Sequence, residues 1–570
     1  MRPEGREALD SLYFEYPRFA YHPAPEQSGD ARVHDVVIVG AGPVGLVAAL
    51  ELARFGIPSV VVDEKRTVND GSRAICLARH SMESLRGIGV ADRFLELALG
   101  WTSGRSYYRG EQVYTLEMPH SPEQRYLPMY NLQQQFIERF LVDAAEASAL
   151  VDLRFGHRVE HAQALADEDG ANVLLSLCNE DGAYELRARY CLAADGARSR
   201  VRHALGLALH GEAYEARYVI ADIRLRSDFP TERRAFFDPS SNPGATLLVH
   251  KQPLDIWRVD WQLEDDESDE DALEEGALRA KIGAILDMLG EEDSWELEWW
   301  SIYKAYTLCL DDYRHDGFFF IGDAAHLVPI FGVRGLNSGV ADAGNVAWKI
   351  AWALRHDAAD GLLDSYSPER RGATLEVFDN AAKSTRFMSP PTYGYQLARD
   401  AALSLALKHD FARPFLNPRQ ATPYTYAESK LSTVDETAAD SGPAVGAPIV
   451  DCRLDDGTFL LDDMPARFLL LAFVDEALPD WLEDESLASR ADQIQIKVIC
   501  RLAKQGSIAR ILDADGSVFA RYGARGGSTF LVRPDRHVTA RWHAPIWQDI
   551  ENAYLRACGR SDESNCGPGG

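Results

Sequence analysis

Four groups of residues in this chain have the types and spacing to do chemistry. Gly40, Gly42 and Gly45 form a G-x-G-x-x-G run with Pro43 and Val44 inside it, and Asp63-Glu64 begins eighteen residues after Gly45. Asp195 precedes Gly196, Asp323 follows Gly322, and Pro329, Gly335, Leu336 and Asn337 stand a few residues further on. Glycines that admit a close backbone, followed by an acid that accepts hydrogen bonds from a vicinal diol, are suited to holding a dinucleotide. Gly40 permits the tight turn, Gly42 lets the backbone approach a pyrophosphate, Gly45 lets helix pack on strand, and Asp63 takes ribose hydroxyls.

Each group needs an element to position it. Val36–Val39 reads as an apolar strand, the Ala-rich stretch after Gly42 as a helix, and Val60–Val62 as a second strand. The helix start offers free N–H groups and the positive end of its dipole to phosphates. Arg73, just after the second strand, reads either as a surface arginine or as one placed to reach the same pyrophosphate. Asn131–Ala147 has the periodicity of an amphipathic helix, with Gln134 in its first turn. Trp101–Glu117 alternates as a meander, and Val151–Leu192 reads as several strands, the last running into Asp195-Gly196 and a short helix with Ser199 and Arg202. Phe318–Ile321 is a strand that delivers Gly322-Asp323. The helix after it is expected from about Asn337, burying Val340, Ala347, Ile350, Ala351 and Leu354.

Between these lies a stretch of different composition. Tyr218–Leu225, Ala245–His250 and Asp255–Leu263 predict an antiparallel sheet inserted into the α/β framework. In the last of them Trp257, Val259 and Trp261 alternate with Arg258, Asp260 and Gln262, so one face is apolar and the other polar. One of these faces is expected to line a pocket, with His250, Tyr303 or Tyr214 nearby, and no base is assigned. The acidic run Glu264–Glu275 reads as a solvated loop entering a helix that buries Leu278, Ile282, Ile285 and Leu289.

Composition bounds the remaining possibilities. A chain of 570 residues calls for two to four domains. Its charge of −29 would repel nucleic acid and anionic membranes. No segment approaches the length of apolar chain that spans a bilayer, and the N-terminal stretch lacks a signal-peptide core. Eight cysteines without a C-x-x-C fit a reducing cytoplasm and give no zinc or iron–sulfur pattern. His157 and His161 fall on a strand about 13 Å apart, too far to share an ion, so no metal site is expected. The expected layout is an arm (1–33), a cofactor domain in two parts (34–213 and 311–416), the inserted sheet (214–310), a connector (417–443), a small α/β domain (444–557) and a disordered tail (558–570). In the small domain, Phe468–Phe473, Ile511–Tyr522 and Ser528–Trp542 read as strands, with a hairpin turn at Pro534-Asp535.

Together the glycine fingerprint, Asp195-Gly196 and the Gly322–Asn337 stretch resemble the class A FAD-dependent aromatic hydroxylases, the fold group of p-hydroxybenzoate hydroxylase. Within it the chain is most similar to the 3-(3-hydroxyphenyl)propionate and phenol hydroxylase branch, over residues 35–387. Arg73 matches the family's flavin-contacting arginine, and Gln134 begins the pattern Q-x-x-x-E-x-x-L completed by Glu138 and Leu141. Ala343-Gly344-Asn345, Trp348-Lys349, Tyr366 and Glu369-Arg370-Arg371 also match, while Ile330 stands where a second proline is common and Arg334 where some members differ. The resemblance implies an α/β fold: a Rossmann-type FAD-binding domain, an inserted antiparallel-sheet substrate domain, and a C-terminal thioredoxin-like domain. That last domain lacks the redox cysteine pair and has a structural or dimer-related role.

The resemblance also implies resident FAD, NAD(P)H as co-substrate, O₂, and a small aromatic substrate hydroxylated by a C4a-hydroperoxyflavin, in a homodimer. The N–H groups of Leu336 and Asn337 then face the flavin C2 carbonyl, and the inserted sheet covers the flavin. Two alternatives share the scaffold. A halogenase or oxidase is disfavoured because Trp299-Trp300-Ser301-Ile302 lacks the W-x-W-x-I-P stretch, and a non-enzymatic escort because the fingerprint and Gly-Asp motif are intact.

Overall fold

The computed structural model describes residues 1–560 apart from 31, 72, 167–169, 265, 330–331, 357, 418–421, 436–440, 476 and 502–509. Ile330 and the end of the tail lie outside the described residues.

The central strand is β1 (Val33–Val39), whose valines have nowhere to go but a core. It runs parallel to β2 (Ser59–Asp63) on one side and to the end of Gly182–Ala193 on the other, and Phe318–Phe320 adds outside the latter. In register, Val39 lies beside Val62 and Ala193, and Ala193 beside Phe320. Three motifs scattered over nearly three hundred residues therefore leave the sheet at one edge, where ligands of open parallel sheets bind. The helix α1 (Pro43–Arg54) covers this sheet and packs against the long helix Gly335–Arg355.

The inserted sheet has eight strands in the order 326–327, 295–309, 210–225, 256–262, 246–251, 233–237, 103–108 and 111–117. Its apolar face (Val219, Val249, Trp257, Val259, Trp261) packs under the helix Glu275–Leu289 through Leu278, Ile282 and Ile285. Leu289 is only partly buried. The acidic run ahead of that helix forms a short helix of its own, Asp269–Ala272, capped by Ser268. The 101–117 meander turns out to be part of this sheet: Ser103–Tyr108 pairs in parallel with Arg233–Phe237. Alternation locates such a strand but not its partner, which here lies well over a hundred residues away.

The C-terminal sheet runs 510–512, 494–500, 468–474, 529–532, 538–542, a parallel set extended by an antiparallel hairpin. Ile511–Tyr522, expected as one strand, divides: only Arg510–Leu512 is strand, and Ser517–Tyr522 is helix between Gly516 and Gly523, both in the left-handed region. Glycine punctuation overrode the apolar alternation there. The hairpin plants Arg533 against Glu369 of the helix Tyr366–Met388, at 2.6 Å, and Lys349 of the long helix meets the same carboxylate at 2.7 Å. All three side chains are buried. Against the cost of burial, Arg533 and Lys349 hold the Glu369 carboxyl well below its usual range, while burial pulls Lys349 down to about 8.

Among the described residues no helix is long and apolar enough to cross a membrane, and no group of His, Cys, Asp or Glu could hold a metal ion.

Candidate active site

At the nucleotide end the three glycines divide their duties. A methyl group on Gly40 would stand 2.5 Å from the Ala194 carbonyl oxygen at the end of the neighbouring strand, and one on Gly45 2.0 Å from that of Gly40, so the first is set by contact between strand ends and the second by contact of helix with strand. A methyl on Gly42 would meet nothing within 4 Å: the turn there opens onto free space, at the N-terminus of α1, with Pro43 beginning the helix and Val44 lying against Gly322. Asp63 accepts hydrogen bonds from the Ala41 and Lys65 N–H groups, both at 2.8 Å, so it shapes the turn as well as facing the crevice. Enclosure raises its carboxyl, with those two donors opposing. Glu64 is exposed, 3.6 Å from Arg200. One oxygen of Asp195 caps the short helix through Arg200 and Val201 N–H groups, while the other is buried without a partner. Open space over Gly42 and an orphaned acceptor beside it fit a pyrophosphate and its ribose hydroxyls.

Gln134 does not point into this space. It accepts from the Ala74 N–H at 3.0 Å and donates to Glu138 at 2.7 Å, and Glu138 binds both the backbone and side chain of Asn69. The pair thereby fixes the segment that carries Arg73, which Arg258 holds from the opposite side through the Arg73 carbonyl at 3.0 Å. Arg73 itself is exposed in the crevice near Asp323. The Asp323 carboxylate opens onto the crevice, but surrounding protein raises it above its usual range, with His326 and Arg73 opposing.

At the ring end, Gly322 donates its N–H to Asp342, which also binds buried His326 at 2.7 Å and Arg370 at 2.6 Å. Burial works against this carboxylate, but Arg370 and His326 outweigh it and hold Asp342 at about 2. The long helix begins at Gly335, two residues earlier than its periodicity suggests, after buried Pro329 and half-buried Val328. Leu336 and Asn337 lie in its first turn, where N–H groups lack helical acceptors. The Asn337 amide is fully committed: it accepts from Ala78 N–H and Ser81 and donates to the Cys76 and Val333 carbonyls, tying the helix to β3 (Cys76–Ala78). Val333 sits at φ +61°, a strained value for a β-branched residue. Arg334 is buried and reaches toward the Val377 carbonyl on the neighbouring helix.

The polar face of the inserted sheet closes over this end. Arg258 grips Asp222 with two bonds of 2.9 Å, and beside them lie Asp260, His250, Arg233 and, from β3, Cys76. Strand register aligns Asp222, Arg258, His250 and Arg233 in one row. Of these, Asp222, Arg233 and Cys76 escaped the sequence reading. Only the polar alternation of 256–262 hinted at them, because the row exists only once four strands pair. Tyr303 faces Tyr218, four residues along the strand from Asp222, and Tyr214 lies beyond it. Next to the row is a cavity of about 320 Å³ between this sheet (Tyr114, Leu116, Ala235, Phe237) and the helix Tyr366–Met388 (Phe387, Met388). Arg105, Arg233 and Lys383 also line it, and among the described residues no carboxylate does.

A family model described as an FAD binding domain matches residues 33–381. The chain is 27% identical over 88% of its length to a 3-(3-hydroxy-phenyl)propionate/3-hydroxycinnamic acid hydroxylase of Mycolicibacterium smegmatis, covering 89% of that protein. It is 25% identical to one of Escherichia coli, over 89% of this chain and 91% of that one. Among solved structures, the flavin-dependent monooxygenase PieE in complex with FAD and substrate superposes with a TM-score of 0.77, at 24% identity, over 93% of this chain and 99% of that one. A ternary complex of aklavinone-11 hydroxylase with FAD and aklavinone gives 0.74 at 24% identity, over 93% and 100%. The fold, the crevice and the family match agree, and the chain belongs to the FAD-binding-domain family of flavoprotein aromatic hydroxylases.

Proposed function

We propose that this hydroxylase acts on a small phenol carrying a negatively charged side chain. The observation that carries the reading is the cavity. In a chain with 88 acidic and 59 basic residues, its lining among the described residues holds an aromatic wall, Arg105, Arg233 and Lys383 and no carboxylate, although Glu232 outside it pairs with Arg105 at 3.2 Å. Arg105 and Lys383 reach solvent and suit an anionic group, and Arg233 is drawn inward with its Nε sealed from water. The substrate for which the relatives are named, a hydroxyphenyl propionate, has this shape and charge.

FAD, when bound, supplies the redox chemistry, drawing electrons from NAD(P)H and delivering one atom of O₂ to the ring. The chain's residues would do the rest. Gly40, Gly42, Pro43, Val44 and Gly45 present the turn to the pyrophosphate. Asp63 and Glu64 face the adenosine ribose, and Arg73, Asp195, Gly322 and Asp323 face the phosphates and ribityl chain. Gln134 acts at one remove, through the segment bearing Arg73. Pro329, Gly335, Leu336 and Asn337 bring the helix start, with its partial positive charge, to the ring. The inserted sheet excludes water from the reacting face.

The same reading favours a reducing cytoplasm, in keeping with seven cysteines that are free among the described residues. It also favours a homodimer, through the exposed Tyr393, Leu397, Phe411 and Phe415, which size-exclusion chromatography with light scattering would test. To test the substrate class, FAD-loaded protein is assayed for NAD(P)H oxidation with 3-(3-hydroxyphenyl)propionate, neutral 3-ethylphenol and cationic tyramine. The anion is expected to give kcat/KM at least about tenfold above the others, a difference of about 1.4 kcal/mol. Equal stimulation by tyramine would remove the anionic assignment, and protein that cannot retain FAD would remove the whole reading.

A further inference from the structure

Arg73 reaches the crevice from a segment, 69–74, none of whose described residues lies in a helix or strand. Backbone without a ladder of its own has to be held from outside. Three parts of the molecule do this. The helix Gln134–Glu146 holds the Asn69 N–H through Glu138 at 2.7 Å and the Ala74 N–H through Gln134 at 3.0 Å. The inserted sheet holds the Arg73 carbonyl through Arg258 and covers Gly71 with Trp299, whose indole would stand 2.2 Å from a methyl there. The third holder is the N-terminal arm. Its Tyr16 hydroxyl oxygen accepts the Gly71 N–H at 3.2 Å, and its Arg2 donates to the Asp70 carboxylate at 3.1 Å.

The arm is built to present these two side chains. Arg2, with a side chain only 3% exposed, also donates to the Tyr16 oxygen at 2.8 Å, and Gln135 bonds the same oxygen at 3.0 Å. Phe14 meets the rings of Tyr16 and Phe136 edge-on, with centroids 5.0 Å away in each case. Behind them stands Glu298, buried on the strand Trp295–Cys309. It pairs with Arg2 and accepts from the Ser11 hydroxyl at 2.7 Å and the Leu12 N–H at 2.8 Å. A buried carboxylate is tolerated only with such partners, so the arm and the inserted sheet fix one another.

We propose that the N-terminal arm is part of the cofactor site, with Tyr16 as the positioning residue that sets the Arg73 guanidinium against the FAD phosphates. The proposal rests on the reading that puts Arg73 at those phosphates. Tyr16 acts through the Gly71 N–H, two residues before Arg73. A long cation on unsupported backbone gives up conformational freedom when it meets its ligand, and a segment held beforehand has already lost it. Burial raises the Tyr16 hydroxyl above its ordinary value, with Gln135, Arg2 and Gly71 opposing, so the group stays neutral and serves as a hydrogen-bonding post.

The test is a double-mutant cycle on FAD affinity, read by fluorescence titration of the full-length chain stripped of flavin. Tyr16→Phe is expected to weaken FAD about fivefold, and Arg73→Ala at least as much. Added to Arg73→Ala, Tyr16→Phe should cost nothing further, since no guanidinium remains to be placed. A general loosening of the fold would lower affinity by the same factor in both backgrounds, and that additive result overturns the proposal. Undiminished affinity in Tyr16→Phe does so too. Asp70→Ala guards against a Tyr16→Phe protein that does not fold, because it removes only an exposed partner of Arg2. It should weaken FAD about threefold in wild type and not at all beside Arg73→Ala, and an equal loss in both, or none, overturns the proposal. If wild type binds FAD and Arg73→Ala binds it as well, the placement of Arg73 falls and this proposal with it. A wild type that binds no FAD overturns the flavoprotein reading itself.

Discussion

At the nucleotide end of the crevice, a six-residue glycine turn and nearby acids present mostly backbone to the ligand space. At the ring end, the groups facing the crevice are side chains from β3 and from strands at 210–225, 233–237, 246–251 and 256–262. The contrast follows from what each end must recognise. Phosphates and ribose are met by N–H groups and short acids, which one turn and one helix start can supply. A ring to be activated needs charges converging from several directions, and only paired strands bring these together. The nucleotide end is therefore stiff and local, with Gly45 in contact with Gly40. The ring end leaves Asp260, His250 and Arg233 each with an unpartnered atom.

Substitutions can break or sharpen this contrast. The largest effect is expected from Gly45→Ala, whose methyl would stand 2.0 Å from a backbone oxygen. It should cost ~4 kcal/mol or more and empty the protein of FAD, whereas Gly42→Ala should weaken FAD at least about tenfold with Tm of the apo-protein unchanged. Equal Tm losses in the two variants would erase the distinction between packing and ligand-facing glycines. Next, Asp342→Ala strands Arg370 and should cost about 3 kcal/mol by urea denaturation. Because the folded Asp342 value of about 2 lies below its ordinary 3.8, its contribution is full above that value and drains as pH falls through about 2.

Asp260 carries the opposite sign. Its folded value of about 7 lies above the ordinary 3.8, so stability falls as pH rises between them. Asp260→Asn should therefore be more stable than wild type at about pH 8 by roughly 2 kcal/mol and nearly equal at about pH 4, and a pH-independent difference would show the carboxylate to be solvated. Asp323→Ala should weaken FAD about tenfold by fluorescence titration, a loss of about 1.4 kcal/mol, and unchanged affinity would remove Asp323 from the cofactor's reach. The smallest effect is expected from Val333→Gly, which relieves the left-handed strain and should stabilise by about 0.5 kcal/mol. A fall in Tm instead would mean that Val333 gains more from packing against the Cys76 cluster than it loses to strain.

The sequence disclosed these two ends unequally for the same reason that they differ. Gly40 to Asp63 is one unit, in which strand, turn, helix and acid can be read within thirty residues. Gly322-Asp323 attaches to it through the family resemblance, and the structure gives the reason: both follow apolar strands that end at the same sheet edge. The row from Asp222 to Arg233 could not, since each member is an ordinary polar residue on a two-faced strand until register sets them side by side. Gln134 and Asn337 were found but their work was not foreseen. Gln134 was expected at the cofactor, and its side chain holds the segment bearing Arg73; for Asn337 the backbone N–H was expected there, and the unforeseen part is its side chain tying the helix to β3. Periodicity placed 101–117 as extended chain without showing that it would cross into the inserted sheet, and the glycines at 516 and 523 turned an expected strand into a helix.

The meeting of Arg533 with Glu369 has a consequence for how the molecule is made. The two residues are 164 positions apart, and the arginine lies on the last pair of strands. Before that hairpin is in place, Glu369 has Lys349, Asn345 and Ser429 beside it but not the arginine that meets both its oxygens. The cofactor domain therefore waits, incompletely set, until the final hairpin is delivered and docks. A chain cut before that hairpin is therefore expected to hold the glycine turn but to leave Glu369 without its arginine.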